Sequence, residues 1–239
     1  DTDAKYVLFT TKQGMIKKTA LDEYNKTKKK TGIAAITLKD GDELFAVRKT
    51  NGEEDVIIAA DNGKAVRFSE ENIRCMGRTA TGVKSINVGD GEVVGVSTSS
   101  QGEYVLVLTS KGYGKMSHID EYRVMTNRGG KGVKTLNITE KNGQLVCLKA
   151  VKGDEDLLVV TNKGVIIRVS LEQVKVASRN TQGVRIIKID EKSIVSSSFN
   201  FSTISKPSSF RFHHEILHIM FDPCHLFHIV LIIHFHLMD

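Results

Sequence analysis

Lysine and arginine side chains recur at matched places along this chain of 239 residues. In four similar segments, one basic residue stands two positions before a Ser or a Thr. A regular row of cations can bind the phosphates of a long polyanion without reading its sequence. We therefore expect the four residues to occupy equivalent positions and to form an evenly spaced row along one rim. They are Lys17, Arg67, Lys115 and Arg168.

A second set of cations lies in the polar connections that follow these segments. The stretch TNRGGKG, Thr126–Gly132, combines three glycines with Arg128 and Lys131, and its glycines would let backbone amides approach a phosphate. The acidic residues gather in other turns, which predicts that the two signs of charge separate to different faces. The further candidates for phosphate contact are Lys28, Lys29, Lys30, Arg74, Arg78, Arg123, Gly129, Gly130, Gly132, Arg179 and, just beyond the connections, Lys84, Lys134 and Arg185.

Nucleotide binding by the same stretch is a different possibility, because RGGKGVKT is close to the phosphate-loop pattern G-x-x-x-x-G-K-[ST]. The pattern needs a glycine before its lysine, but Val133 precedes Lys134. Without that glycine the nest of backbone amides does not form. We therefore reject a nucleotide site and expect no cofactor.

The composition favours an anionic partner and a reducing compartment. Lys and Arg number 34 against 28 Asp and Glu, a formal net charge of +6. Cys75, Cys147 and Cys224 are an odd set without C-x-x-C spacing, which argues against a disulfide framework or a structural zinc site. No leader pattern begins the chain, and no apolar run reaches the roughly 18 residues that span a bilayer. We expect a cytoplasmic protein with no membrane partner.

The segments that carry these cations belong to a repeat of about fifty residues. The segments YVLFTTKQG, DVIIAADNG, YVLVLTSKG and DLLVVTNKG share one template. They close at Gly14, Gly63, Gly112 and Gly164, which are 49, 49 and 52 residues apart. A second glycine recurs at Gly32, Gly82, Gly132 and Gly183, at intervals of 50, 50 and 51 residues. Two markers with one period indicate four copies of one structural unit.

Each copy has the pattern of four short strands. An apolar β-branched run, a turn ending in glycine and a second strand predict a hairpin, and two further strands follow the second glycine. Four strands in such a unit are typical of a propeller blade and not of a helical solenoid. We predict an all-β toroid, or an open or incomplete ring, with blades at about 6–54, 55–103, 104–155 and 156–193. The closing glycines should supply positive φ at the hairpin turns.

The end of the chain has a different composition. Residues 194–239 hold seven of the eight histidines and both prolines. We therefore place the boundary of the repeat domain at 193 and interpret the remainder as a frameshifted or disordered tail. This tail contains the zinc-protease pattern H-E-x-x-H at His214, Glu215 and His218. Because histidine is so abundant there, we interpret the match as accidental and predict no metal site.

The four units resemble consecutive blades of the C-terminal domain of DNA gyrase A, over about residues 6–191. That family's fold is the β-pinwheel, a propeller-like ring whose blades exchange strands, and the resemblance implies a basic perimeter that wraps DNA. The family's ring usually has six blades, and the four units seen here are similar to the last four of them. Arg128, Gly129, Gly130, Lys131 and Gly132 match the end of its Q-R-R-G-G-K-G box, but Thr126 and Asn127 depart from it.

The resemblance implies a non-enzymatic module that binds double-stranded DNA without sequence preference. On this resemblance, the module would support ATP-dependent negative supercoiling by the whole enzyme, a type II topoisomerase. Its expected partners are the rest of gyrase A and gyrase B. The catalytic tyrosine and the ATPase site belong to other regions of that enzyme, so no catalytic residue is expected here. The alternatives are the paralogous domain of topoisomerase IV and a propeller-like scaffold for protein interactions.

Overall fold

The computed structural model describes residues 3–25, 33–190 and 193–201. Over these residues the fold is built from antiparallel β-sheets, which confirms the all-β prediction. The first repeat contains β1 (Tyr6–Thr11), β2 (Met15–Ala20), the short helix α1 (Asp22–Asn25) and β3 (Leu44–Thr50). The second contains β4 (Asp55–Ala60), β5 (Lys64–Ser69), β6 (Val83–Lys84) and β7 (Val93–Thr98).

The third and fourth repeats follow the same order. The third contains β8 (Tyr104–Thr109), β9 (Tyr113–His118), β10 (Val133–Lys134) and β11 (Leu145–Val151). The fourth contains β12 (Asp156–Thr161), β13 (Ile166–Ser170), β14 (Val184–Arg185) and β15 (Val195–Phe201). Single 3-10 turns lie at Glu70–Asn72, Ser99–Gln101, Ile119–Glu121 and Leu171–Gln173.

A tight hairpin begins each repeat. The apolar first strand pairs with the second across a turn whose glycine has φ between 76° and 80° in all four copies, at Gly14, Gly63, Gly112 and Gly164. Residues with a Cβ rarely adopt this conformation, so the periodic glycine follows from the hairpin geometry.

Neighbouring repeats exchange a strand. The first sheet has the order β3-β1-β2-β6, and β6 comes from the second repeat. Likewise β10 of the third repeat completes the second sheet, and β14 of the fourth completes the third sheet. We call β6, β10 and β14 the donor strands, and the hairpin edges at β2, β5 and β9 that receive them the acceptor edges. The exchange ties each blade to the next.

The hydrophobic core lies between successive blades. Val56 and Ile58 of β4 pack with Leu8 and Ile16 of the first blade, while Ile57 and other residues of the alternate face of β4 pack against the third blade. Because successive side chains of a strand point to opposite faces, a strand buried on both sides must be apolar throughout. This explains the unbroken apolar run 56–60.

The repeat domain extends beyond the boundary expected at 193. Strand β15, Val195–Phe201, pairs with β12 and takes the place that β3, β7 and β11 hold in the other sheets. Val195 is buried in the core between the third and fourth blades. The unusual composition after 194 therefore does not coincide with the end of the fold. The fourth sheet has the order β13-β12-β15 and no donor strand among the described residues.

Candidate nucleic-acid interface

Lys17 and Lys115 are fully buried and do not lie on an exposed rim. The ammonium group of Lys115 donates hydrogen bonds to Ser178 O at 2.5 Å and Arg179 O at 2.6 Å. Lys17 donates to Arg78 O at 2.5 Å and to Ala35 O. In both blades the acceptors include the polar connection of the following repeat, which covers the lysine. The expectation that these two residues belong to an exposed row is wrong.

Burial changes the ionisation of both lysines. Loss of water around the ammonium group lowers the pKa of Lys17 to about 8, with a smaller effect from the nearby Arg78. The same desolvation lowers the pKa of Lys115 to about 8. An enclosed amine that already donates to backbone carbonyls holds the connection in place and is unavailable to an external phosphate.

Arg67 is also engaged inside the protein. Its guanidinium forms an ion pair with Asp55 at 2.9 Å and donates to Ile119 O at 2.9 Å and Tyr122 O at 3.2 Å. Only 13% of its side chain is exposed. Because Ile119 and Tyr122 belong to the third repeat, Arg67 stabilises the junction between the second and third blades.

Arg168 occupies the same register as Arg67 in a more open environment. Arg67 pairs with Ile57 in its sheet, and Arg168 pairs with the corresponding Leu158. Arg168 bonds to Asp156, as Arg67 does to Asp55, but 66% of its side chain is exposed. No described residue covers Arg168 in the way that Ile119 and Tyr122 of the next repeat cover Arg67. Arg168 is thus the accessible member of the four expected row residues.

A register difference explains why the expected row is not one row. Lys17 and Lys115 lie three residues after their closing glycines, whereas Arg67 and Arg168 lie four residues after theirs. A shift of one residue in a strand turns a side chain to the opposite face. The Ser or Thr at the end of the strand is therefore the wrong reference for aligning the segments, and the turn glycine is the correct one.

One arginine in each connection of the second, third and fourth repeats holds a neighbouring segment. Arg78, Arg128 and Arg179 precede their second glycines by four residues and are half-buried. Arg128 donates to Lys84 O at 2.9 Å, and Arg78 and Arg179 donate to the equivalent carbonyls of Ala34 and Lys134. These predicted contact residues therefore have a structural role in the free protein.

The glycines of TNRGGKG are mainly structural. The amide of Gly129 donates to Ser85 O at 2.7 Å, and a Cβ on Gly132 would lie 2.5 Å from Ala65 O. Both glycines have positive φ. A Cβ on Gly130 would lie 4.0 Å from Gly132 N and meet no closer atom among the described residues, and Lys131 is exposed. The predicted approach of amides to a phosphate is therefore excluded for Gly129, whose amide already has an acceptor.

An in-register set of exposed cations does exist, on the donor strands. Lys84, Lys134 and Arg185 lie two residues after their second glycines, and all three are exposed on the outermost strand of successive sheets. Arg185 also donates to the Tyr113 hydroxyl at 2.9 Å. We call these three residues the donor-strand row. Their registry partners at the start of each acceptor strand are Met15, Lys64 and Tyr113.

Other predicted cations flank the donor-strand row or lie outside the described residues. Arg74, Arg123 and Lys131 are exposed in the connections that lead to the donor strands. The predicted roles of Lys28, Lys29 and Lys30, and those of His214, Glu215 and His218, lie outside the described residues. In the described part of the chain, no helix is long and apolar enough to cross a membrane.

The strand-exchanged blades define the architecture as a β-pinwheel, the propeller-like fold expected from the repeats. The family model for the DNA gyrase C-terminal domain, a β-propeller, matches residues 5–51, 54–100, 103–152 and 155–200. The chain belongs to this family. Each matched segment corresponds to one repeat, and the fourth includes most of β15.

Individual relatives agree with this assignment. The chain is 46% identical over 199 residues to the DNA gyrase A protein of Staphylococcus epidermidis, a match that covers 82% of the chain and 22% of that protein. A solved gyrase A C-terminal domain matches with a TM-score of 0.74 at 24% identity, over 84% of this chain and 67% of that one. A topoisomerase IV C-terminal domain matches with a TM-score of 0.76 at 25% identity, covering 84% and 63%.

The fold alone therefore does not separate gyrase from topoisomerase IV, whereas the sequence relationship is to gyrase A. The chain spans about a fifth of the length of that curated relative.

Proposed function

We propose that this domain binds double-stranded DNA through the donor-strand row, supported by the exposed connection residues Arg74, Arg123 and Lys131. The observation that carries the proposal is the matched register of the three row residues on successive outer strands. Repeated cations along a curved edge follow phosphates without reading bases, so binding should be insensitive to DNA sequence. Arg168 would extend the contact at the fourth blade.

Within gyrase A, this contact would wrap DNA. Bending a duplex has an elastic cost, which cations spaced along the edge of a curved body can offset. The wrap would present DNA to the rest of gyrase A and to gyrase B for ATP-dependent negative supercoiling in the bacterial cytoplasm. In this proposal the domain supplies neither a catalytic group nor a cofactor.

Salt dependence tests the proposal directly. For the unmodified chain and a random-sequence duplex, log K should fall linearly with log salt, with a slope of about 0.9 per phosphate contacted. The triple variant Lys84→Glu, Lys134→Glu, Arg185→Glu should bind more weakly and lose about 2 to 3 units of that slope.

A charge-matched control is Lys5→Glu, Lys49→Glu, Lys152→Glu, which changes three exposed lysines outside the donor-strand row. It alters net charge equally and should retain most of the slope. Equal losses in both triple variants would refute a defined row and indicate only general charge attraction. A flat salt response of the unmodified protein would favour the protein-interaction scaffold.

A further inference from the structure

The carbonyl group of Lys84 faces away from the sheet that β6 joins. The following amide, Ser85 N, donates to Gly14 O of the first hairpin at 2.8 Å. Because the backbone polar groups of successive residues alternate between the two sides of a strand, Lys84 O points outward from that hairpin. An outermost strand leaves such a carbonyl without a partner in the sheet.

Arg128 of the third repeat supplies the partner for this carbonyl. Its guanidinium donates to Lys84 O at 2.9 Å and to Asn72 O at 3.1 Å, so it spans the donor strand and the 3-10 turn of the second repeat. The adjoining Gly129 N donates to Ser85 O at 2.7 Å. The connection of the third repeat therefore holds the backbone at Lys84 and at the residue after it.

The same contact recurs one repeat later. Thr135 N donates to Gly63 O at 2.8 Å. Lys134 O therefore points outward, and the guanidinium of Arg179 donates to it. Arg179 is itself held in place, since its amide donates to a carboxylate oxygen of Glu121 at 2.8 Å. Two copies of the contact indicate that it belongs to the repeat and not to one junction.

The ammonium groups of the two row lysines have only long hydrogen bonds. Lys84 Nζ lies 3.4 Å from Asn87 Oδ1, and Lys134 Nζ lies 3.4 Å from Asn137 Oδ1. A phosphate oxygen can replace such a partner with a shorter, charge-assisted bond. Each donor strand is only two residues long, so it has few sheet hydrogen bonds to keep its backbone in place. The arginine therefore determines where the lysine side chain starts.

We propose that Arg128 and Arg179 are positioning residues for DNA binding. Each arginine holds the backbone of one row lysine so that the ammonium group of that lysine meets a phosphate, and the arginine does not itself bind the phosphate. The proposal rests on the function proposed above for the donor-strand row. It makes the phosphate contact of one blade depend on the connection of the next repeat, because a preorganised group binds more tightly than a mobile one.

Arg128→Lys tests the proposal because it keeps the charge but loses the guanidinium fork that reaches two carbonyl groups. With the full chain and a random-sequence duplex, the slope of log K against log salt should fall by about 0.9, which is the loss of one phosphate contact. Lys84→Gln should cause the same fall. The double variant should fall no further, because both changes remove the same contact.

Arg128→Lys combined with Arg185→Gln is the matched control, since Arg185 lies on a different donor strand. These two falls in slope should add, to about 1.8. Arg179→Lys with Lys134→Gln repeats the test at the second copy and replaces it if Arg128→Lys does not fold.

Amide exchange in the free protein gives a second measurement. Ser85 N should exchange faster in Arg128→Lys and at its original rate in Lys84→Gln, which separates a loosened strand from a lost charge. An unchanged rate at Ser85 in Arg128→Lys would overturn the proposal.

Two binding results would also overturn it. An arginine that binds a phosphate itself can be replaced by lysine, so a retained slope in Arg128→Lys contradicts a positioning role. A fall that adds to that of Lys84→Gln contradicts it as well, because the two residues would then act independently. Failure of the proposed function is distinguishable from both results: Lys84→Gln, Lys134→Gln and Arg185→Gln would all retain the slope.

Discussion

The hairpin strands and the donor strands both carry repeated cations, but they place them in opposite environments. Lys115 on β9 is completely buried and hydrogen-bonded to the following connection, whereas Lys134 on β10 is exposed. The connection of the next repeat runs over the hairpin strand before its own donor strand reaches the edge. A repeated charge is therefore available to a partner only on an element that the described residues leave exposed.

The largest expected contrast is in stability. Lys115→Ala should lower the free energy of unfolding by about 2 to 3 kcal/mol, because it removes buried methylenes and leaves the carbonyls of Ser178 and Arg179 without their donor. Lys134→Ala should change it by less than about 0.5 kcal/mol. Urea unfolding followed by circular dichroism measures both values. Equal effects would contradict the distinction between covered and exposed cations.

The two arginines in equivalent register provide the next comparison. Arg67→Ala should destabilise the protein by about 2 kcal/mol, since it breaks the junction with the third repeat and leaves Asp55 without its partner. Arg168→Ala removes an ion pair from an exposed position and should cost under about 1 kcal/mol. Thermal melting of the two variants gives the ranking. A larger loss for Arg168 would mean that the fourth blade is covered after all.

The smallest expected effect is in the pH dependence of stability. The folded protein binds fewer protons than the unfolded chain between the lowered pKa of about 8 at Lys115 and its ordinary value of 10.5, so stability should rise with pH in this window. Lys115→Met should reduce that rise by about 1 kcal/mol per pH unit. Lys84→Met, which changes an exposed lysine, is the control. The measurement is urea unfolding at pH values of about 8, 9 and 10.

Much of the fold is predictable because it depends on local pattern. The glycine at each hairpin turn needs positive φ, and the apolar strand before it must be buried on both faces. The last strand of the domain is harder to predict from local pattern. Val195–Phe201 has a serine-rich sequence unlike the corresponding strand Val93–Thr98, and its pairing with β12 is evident only in three dimensions.

The candidate site is predictable only in part. The basic band expected around Lys84, Lys134 and Arg185 is exposed. The prediction of one exposed row of hairpin cations is wrong for Lys17 and Lys115, which are buried. Aligning the segments on their Ser or Thr hides the fact that these lysines lie one residue closer to the turn glycine than Arg67 and Arg168 do. The roles of Arg78 and Arg128 in holding neighbouring segments have no local signal, since their acceptors lie 44 positions away in the chain.

The number of repeats, their β-structure, the turn glycines and the family are evident in the sequence, because each follows from residue types and spacings along the chain. The exposure of each cation, and the sheet edge without a described occupant, are evident only once the strands are paired in three dimensions. Both properties depend on strand exchange: a segment from one repeat covers the hairpin of the repeat before it. Lys17 and Lys115 are covered by residues 61 to 64 positions away in the chain, and no local pattern contains that information.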